Sequence, residues 1–94
     1  MSIVTKLTDS LVKLQGSVDS SNAHQFEEEL LAAISGQPLT LDAEELAYIS
    51  SAGLRVVLGT RKAMGDGKFS VRNLCSDVRE IFDITGFSDI ITIE

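Results

Sequence analysis

The 94-residue sequence holds one cysteine and one histidine, and each scarcity removes a class of function. With Cys75 alone, no intrachain disulfide can form, which fits a reducing compartment. A lone thiol beside a strand end reads as a small packing residue rather than a nucleophile. His24 and Cys75 cannot assemble a zinc site, which draws on several such ligands, so no metal is expected. No apolar run approaches the roughly 20 residues that span a bilayer, so membrane insertion is not expected. The opening "MSIVTKLTDS" lacks the basic start and unbroken apolar core of a secretory signal, which points to a cytoplasmic protein. Positive charge is short too: 8 Lys and Arg against 14 Asp and Glu leave a net charge of −6. Such a surface repels phosphate backbones, and no Lys/Arg cluster reverses the sign, so nucleic acid is a poor partner. A protein with a basic face suits it better.

Reactive groups are equally thin. His24 lies in the first turn of an expected helix, where a surface or capping role suits it, and the carboxylates are scattered without visible pairing. "GDG" (Gly65 to Gly67) follows a helix rather than opening one, and no Walker-type lysine follows it. A G-x-S-x-G nucleophile elbow is absent. The chain is therefore read as a non-enzyme with no catalytic residues and no cofactor.

What is present describes a small folded domain. A composition of 44% hydrophobic and 23% charged residues suits one core, and no repeat or linker divides residues 1–94. "SIVTKL" and "LVKLQGSV", joined by turn chemistry at Thr8 to Ser10, predict a hairpin ending near Val18. "DSSNAHQFEEELLAAISGQP" predicts a helix, capped by Asp19 to Asn22 and stopped by Gly36 and Pro38. Ala23, Phe26, Leu30, Leu31 and Ile34 make its apolar stripe, while Glu27, Glu28 and Glu29 mostly face water near the positive end of the dipole. "PLTLD" reads as a short strand, and "AEELAYI" leads to a second helix from Ser51 to about Met64. Leu54, Val57, Leu58 and Met64 face its core side, and "GDG" breaks it. "KFSVRNL" is the next strand. "SDVREIFDITGF" is a helix with Val78, Ile81 and Phe82 inward, and "DIITIE" is a final strand. The order β-β-α-β-α-β-α-β implies right-handed crossovers and a mixed, mainly parallel sheet, an α/β sandwich of one domain.

One stretch resists a purely structural reading. In "YISSAGLRVVL", from Tyr48 to Leu58, four small residues stand where a helix begins. Serine is a favoured N-cap, worth about 1 kcal/mol, but one cap needs one serine. Gly53 in the first turn carries a helix-propensity cost approaching about 1 kcal/mol. Small residues there leave the backbone accessible and let another surface approach closely. A serine at that place also suits phosphorylation. The phosphate adds about −1.5 to −2 charge where the helix dipole tolerates it, while a partner docked over the patch does not.

This stretch, in this topology, resembles a STAS domain, the fold of bacterial anti-sigma factor antagonists. The resemblance runs through "LQGSVDSSNAHQFEEEL", with a G-x-hydrophobic-D element at Gly16 to Asp19, then "LTLDAEELAYISSAGLRVVLGTRKAM", then "FSVRNLCSDVREIFDITGF". The family motif is Asp-Ser-x-Gly-Leu, and its serine accepts phosphate. Gly53 and Leu54 match it, which implies Ser51 as the acceptor. Ser50 stands where the family has aspartate and becomes a competing acceptor. The resemblance further implies a partner-binding surface of Asp19, Ser20, Ser21, Ser50, Ala52, Gly53, Leu54 and Arg55. It implies two partners: a serine-kinase anti-sigma factor, which the unphosphorylated protein binds so that a sigma factor is released, and a serine phosphatase that resets the switch. The alternative within the same family is a regulatory or docking subunit of a transporter or another signalling complex, without a phosphorylation switch.

Overall fold

The computed structural model describes residues 2–94. Its elements follow the expected order: β1 (Val4–Thr8), β2 (Leu11–Val18), α1 (Ala23–Ala33), β3 (Leu39–Ile49), α2 (Ser51–Ala63), β4 (Phe69–Arg72), α3 (Ser76–Ile84) and β5 (Thr92–Ile93). They form one five-stranded sheet in the order β1-β2-β3-β4-β5. The opening hairpin is antiparallel, and the other three pairings are parallel, as helical connections between neighbouring strands require. Among the described residues, no helix is long and apolar enough to cross a membrane.

Alternation along the strands makes one face of the sheet apolar. Val12, Leu14 and Val18 of β2, Leu39, Leu41, Ala43, Leu46 and Ile49 of β3, and Phe69 and Val71 of β4 are all buried. Phe26, Leu30 and Ala33 of α1, Leu54, Val56 and Val57 of α2, and Val78 and Phe82 of α3 complete the same core. Phe82 meets the ring of Phe87 edge-to-face at 6.4 Å. Intervening strand positions carry polar side chains: Thr40 and Ser70 hydroxyls lie 3.2 Å apart, and Asp42 accepts from Arg72 and Asn73.

Several expectations are corrected. "PLTLD" is only the start of β3, which runs 11 residues to Ile49. Its pairing with β2 shifts register between Lys13 and Gln15 and again between Gly16 and Ser17. At each shift β3 advances one residue more than β2, and Gly16 at the second takes φ +83°, a conformation glycine adopts without strain. Buried residues of β3 are therefore spaced two apart to Ala43 and three apart to Leu46 and Ile49, which hides the strand from a search for strict alternation. The final strand shrinks to Thr92–Ile93 after a 3-10 turn over Phe87–Asp89.

Side chains differ as well. Leu31 is exposed, off the apolar stripe of α1. Glu29 leaves the solvated face. Its Oε1 accepts the backbone N–H groups of Ile3 at 3.0 Å and Val4 at 2.8 Å, tying the start of β1 to α1. Cys75 is exposed at the start of α3 rather than packed inside.

Candidate functional site

The site begins where β2 and β3 leave the sheet together. Val18 and Ile49 are paired, and the next residue, Ser50, donates its backbone N–H to the Val18 carbonyl at 2.9 Å. That bond sets the β3–α2 junction beside the β2–α1 loop. Ser50 then turns the chain into α2: its backbone is extended, its carbonyl accepts from Leu54 N–H at 2.9 Å, and its half-buried Oγ accepts from Gly53 N–H at 3.4 Å. Ser50 is thus the N-cap. Aspartate and serine rank almost equally as caps, so serine in the motif's aspartate position keeps the helix start intact while removing a charge.

Ser51, the first residue of α2, is exposed, and among the described residues its hydroxyl makes no hydrogen bond to the protein. The two serines therefore divide the work: one closes the helix, the other presents a free hydroxyl over the helix N-terminus. No acidic residue occupies the first turn. The positive end of the dipole faces Ser51 without a fixed counter-charge on its own helix.

Gly53 and Leu54 point inward. A Cβ on Gly53 would stand 2.6 Å from Ile49 Cγ1 and 2.8 Å from Val18 Cγ1, closer than real Cβ atoms come. The close approach that the small residue permits is the domain's own: α2 lies against the ends of β2 and β3. Leu54 is 2% exposed and anchors the same turn in the core. Ala52 is half-buried and Arg55 exposed, so the outward surface of this turn is Ser51, Ala52 and Arg55.

Across the junction, the β2–α1 loop is braced by its own side chains. Asp19 N–H donates to Asn22 Oδ1 at 2.9 Å, and Asn22 Nδ2 donates to the Ser17 carbonyl at 2.9 Å. Asp19 Oδ1 accepts both the hydroxyl and the N–H of Ser21. These contacts replace the expected capping of α1, whose N-cap Asn22 makes no side-chain cap bond. The Ser21 hydroxyl, followed by the Ser21 N–H, holds the Asp19 carboxyl below its ordinary value, so the loop keeps a negative charge. Asp19, Ser20 and Ser21 are exposed.

Sequence reasoning passed over Tyr48. It pairs with Ser17 at the ends of the two strands and is 48% exposed, two residues before the cap. Its signal was its position next to buried Ile49, on the opposite side of the pleat. His24 stands apart on α1, its Nε2 2.6 Å from Glu28. Among the described residues no three His, Cys, Asp or Glu side chains group to hold a metal ion.

Residues 2–94 match the STAS domain family. The chain is 44% identical over 84 residues to BtrV of Bordetella bronchiseptica, a protein named as an anti-sigma factor antagonist; the match covers 85% of this chain and 72% of that one. It is 34% identical over 88 residues to the anti-sigma-B factor antagonist of Bacillus subtilis, covering 90% and 81% of the two chains. The crystal structure of an anti-sigma factor antagonist from Mycobacterium paratuberculosis matches the fold with a TM-score of 0.84 over 99% of this chain and 83% of that one, at 21% identity.

Proposed function

Because this chain belongs to the STAS domain family, we propose that it is an anti-sigma factor antagonist whose binding is switched by phosphorylation of Ser51. The observation that carries the reading is the free hydroxyl of Ser51, exposed on a helix whose cap is supplied by its neighbour.

The unphosphorylated protein docks Ser51, Arg55, Ala52 and the Asp19–Ser21 loop on a cytoplasmic anti-sigma factor with serine-kinase activity. A bound sigma factor is thereby released. Gly53 and Leu54 support that surface from inside. The chain supplies the acceptor and the kinase supplies the catalyst and ATP. Ser51 Oγ attacks the γ-phosphorus, the new O–P bond forms as the bond to ADP breaks, and the hydroxyl proton passes to a base of the kinase. Among the described residues the Ser51 side chain makes no hydrogen bond, so phosphorylation breaks none there. The helix dipole favours the added charge, whereas an interface closed over it must desolvate that charge, so the complex separates and the domain stays folded. A serine phosphatase hydrolyses the ester and restores binding.

The test incubates the protein with a kinase that binds it, adds ATP and maps phosphate by mass spectrometry. Modification is expected at Ser51. Ser51→Ala is expected to stay binding-competent, and Ser51→Asp to weaken binding on the order of tenfold or more. A kinase that binds the chain yet phosphorylates neither Ser51 nor Ser50 sinks the switch.

A further inference from the structure

Arg55 is the sole charged side chain between Ser50 and Thr60. Carboxylates outnumber basic groups 14 to 8; among the described residues Lys6, Lys13, Arg72 and Arg79 each hold one, while Arg61, Lys62 and Lys68, towards the far end of α2 and beyond it, do not. Arg55 holds none: it is exposed, and among the described residues its guanidinium has no ion pair or hydrogen bond. At helical spacing its neighbours are Ser51, Ala52, Leu58 and Gly59, of which only Ser51 offers a polar atom. A helical side chain leans towards the N-terminus and covers the turn before its own Cα, which here is the turn that opens with Ser51.

Among the described residues, no carboxylate of the surrounding elements pairs with Arg55. In the β2–α1 loop the only carboxylate is Asp19, already bonded to Ser21. On α1, Glu27 and Glu28 both lie against His24, and Glu29 is tied to β1. On β3, Glu45 meets Lys13 and Asp42 meets Arg72, while the exposed Glu44 carboxyl pairs with no cation among the described residues.

Resting on the reading of Ser51 as acceptor, we propose that Arg55 is the intramolecular counter-ion of phosphorylated Ser51. Its guanidinium folds back one turn and closes on the phosphate, in the order, anion before cation, that helices favour. Modification then has two effects on the docking surface. It adds negative charge at Ser51 and, in the same step, withdraws the Arg55 guanidinium from any acidic group of a partner. The chain becomes a poorer ligand by losing an attraction as well as by gaining a repulsion.

The experiment places phosphoserine at position 51 during translation, so that no kinase is needed, and follows the phosphate by ³¹P NMR titration. The second ionisation of phosphoserine lies near about 6. Arg55 favours the dianion, so the midpoint in the otherwise unchanged protein is expected about 0.2–0.4 unit below that of the Arg55→Ala variant, the size of one i,i+4 ion pair. Arg55→Lys is expected to restore part of the difference, and high salt to shrink it. The same midpoint with arginine and alanine at 55, or no recovery with lysine, overturns the counter-ion. A kinase that binds the unmodified protein yet phosphorylates neither Ser51 nor Ser50 overturns the switch instead, and the two failures read separately.

Discussion

Replacing either of two glycines in α2 by alanine should move stability in opposite directions. At Gly59 an added Cβ meets nothing within 4 Å and the backbone is helical. Alanine there gains helix propensity and narrows the unfolded ensemble, a stabilisation of about 0.5–1 kcal/mol. At Gly53 the same methyl stands 2.6 Å from Ile49 Cγ1, 2.8 Å from Val18 Cγ1 and 3.1 Å from Ile49 Cδ1. Ile49 is 1% exposed and Val18 fully buried, so each must displace further core atoms to make room. Overpacking of this kind costs about 1–3 kcal/mol. Set against the alanine gain, Gly53→Ala loses about 1 kcal/mol. Subtracting one variant from the other cancels the shared alanine effects and leaves the packing term, about 1–3 kcal/mol. Urea unfolding with a common m-value measures it. In thermal melts each 1 kcal/mol appears as about 4–8 °C, upward for Gly59→Ala and downward for Gly53→Ala. Equal stabilisation by both would mean that α2 does not press on Val18 and Ile49, and the account of Gly53 would fall.

The two serines should separate in the same melts. Ser50→Ala removes the cap and costs about 0.5–1 kcal/mol, Ser50→Asp restores it, and Ser51→Ala stays within about 0.5 kcal/mol of the parent. A larger loss from Ser51→Ala would make Ser51 the cap. Glu29→Gln should destabilise by about 1 kcal/mol at neutral pH, since two backbone N–H groups lose their charged acceptor. Burial pushes the Glu29 carboxyl up, but the Val4 N–H, the Gln25 amide and the Ile3 N–H outweigh it and hold the carboxyl low. A folded value below the unfolded one, about 4.3, means stability that is present above pH 4.3 and lost as pH falls through the folded value. The gap between parent and Glu29→Gln in urea should therefore hold at pH 7 and close in acid; a gap that persisted at the lowest pH would remove charge from the explanation.

Element order was legible because turns and caps punctuate this chain clearly: Thr8 to Ser10, Gly36 with Pro38, and Gly65 to Gly67 each stand between patterned runs. The acceptor candidate was legible because glycine and two serines at a helix start exceed what capping needs. The roles within the motif were not, since sequence alone does not tell which serine is extended and which is helical. Gly53 looked like an opening to the outside because its tight neighbours, Val18 and Ile49, come from other elements. Glu29 looked solvated because its partners lie 25 and 26 residues away on the opening strand. Tyr48 was passed over because the two register shifts obscure which way β3 side chains face.

Those shifts reach further than the strand itself. Thr40 to Ile49 of β3 lies alongside Leu11 to Val18 of β2, and the surplus is even, so the pleat returns to phase and Val18 and Ile49 both face inward where the chain turns into α2. One residue fewer between Ala43 and Tyr48 would rotate the junction by half a pleat, carrying Ile49 towards solvent and the cap away from the Val18 carbonyl. The exposed segment Gly65 to Gly67, past the far end of the helix, carries no such phase. Tolerance to insertion and deletion is thus distributed unevenly, and the direction in which Ser51 faces is written in the residue count of a strand it does not belong to.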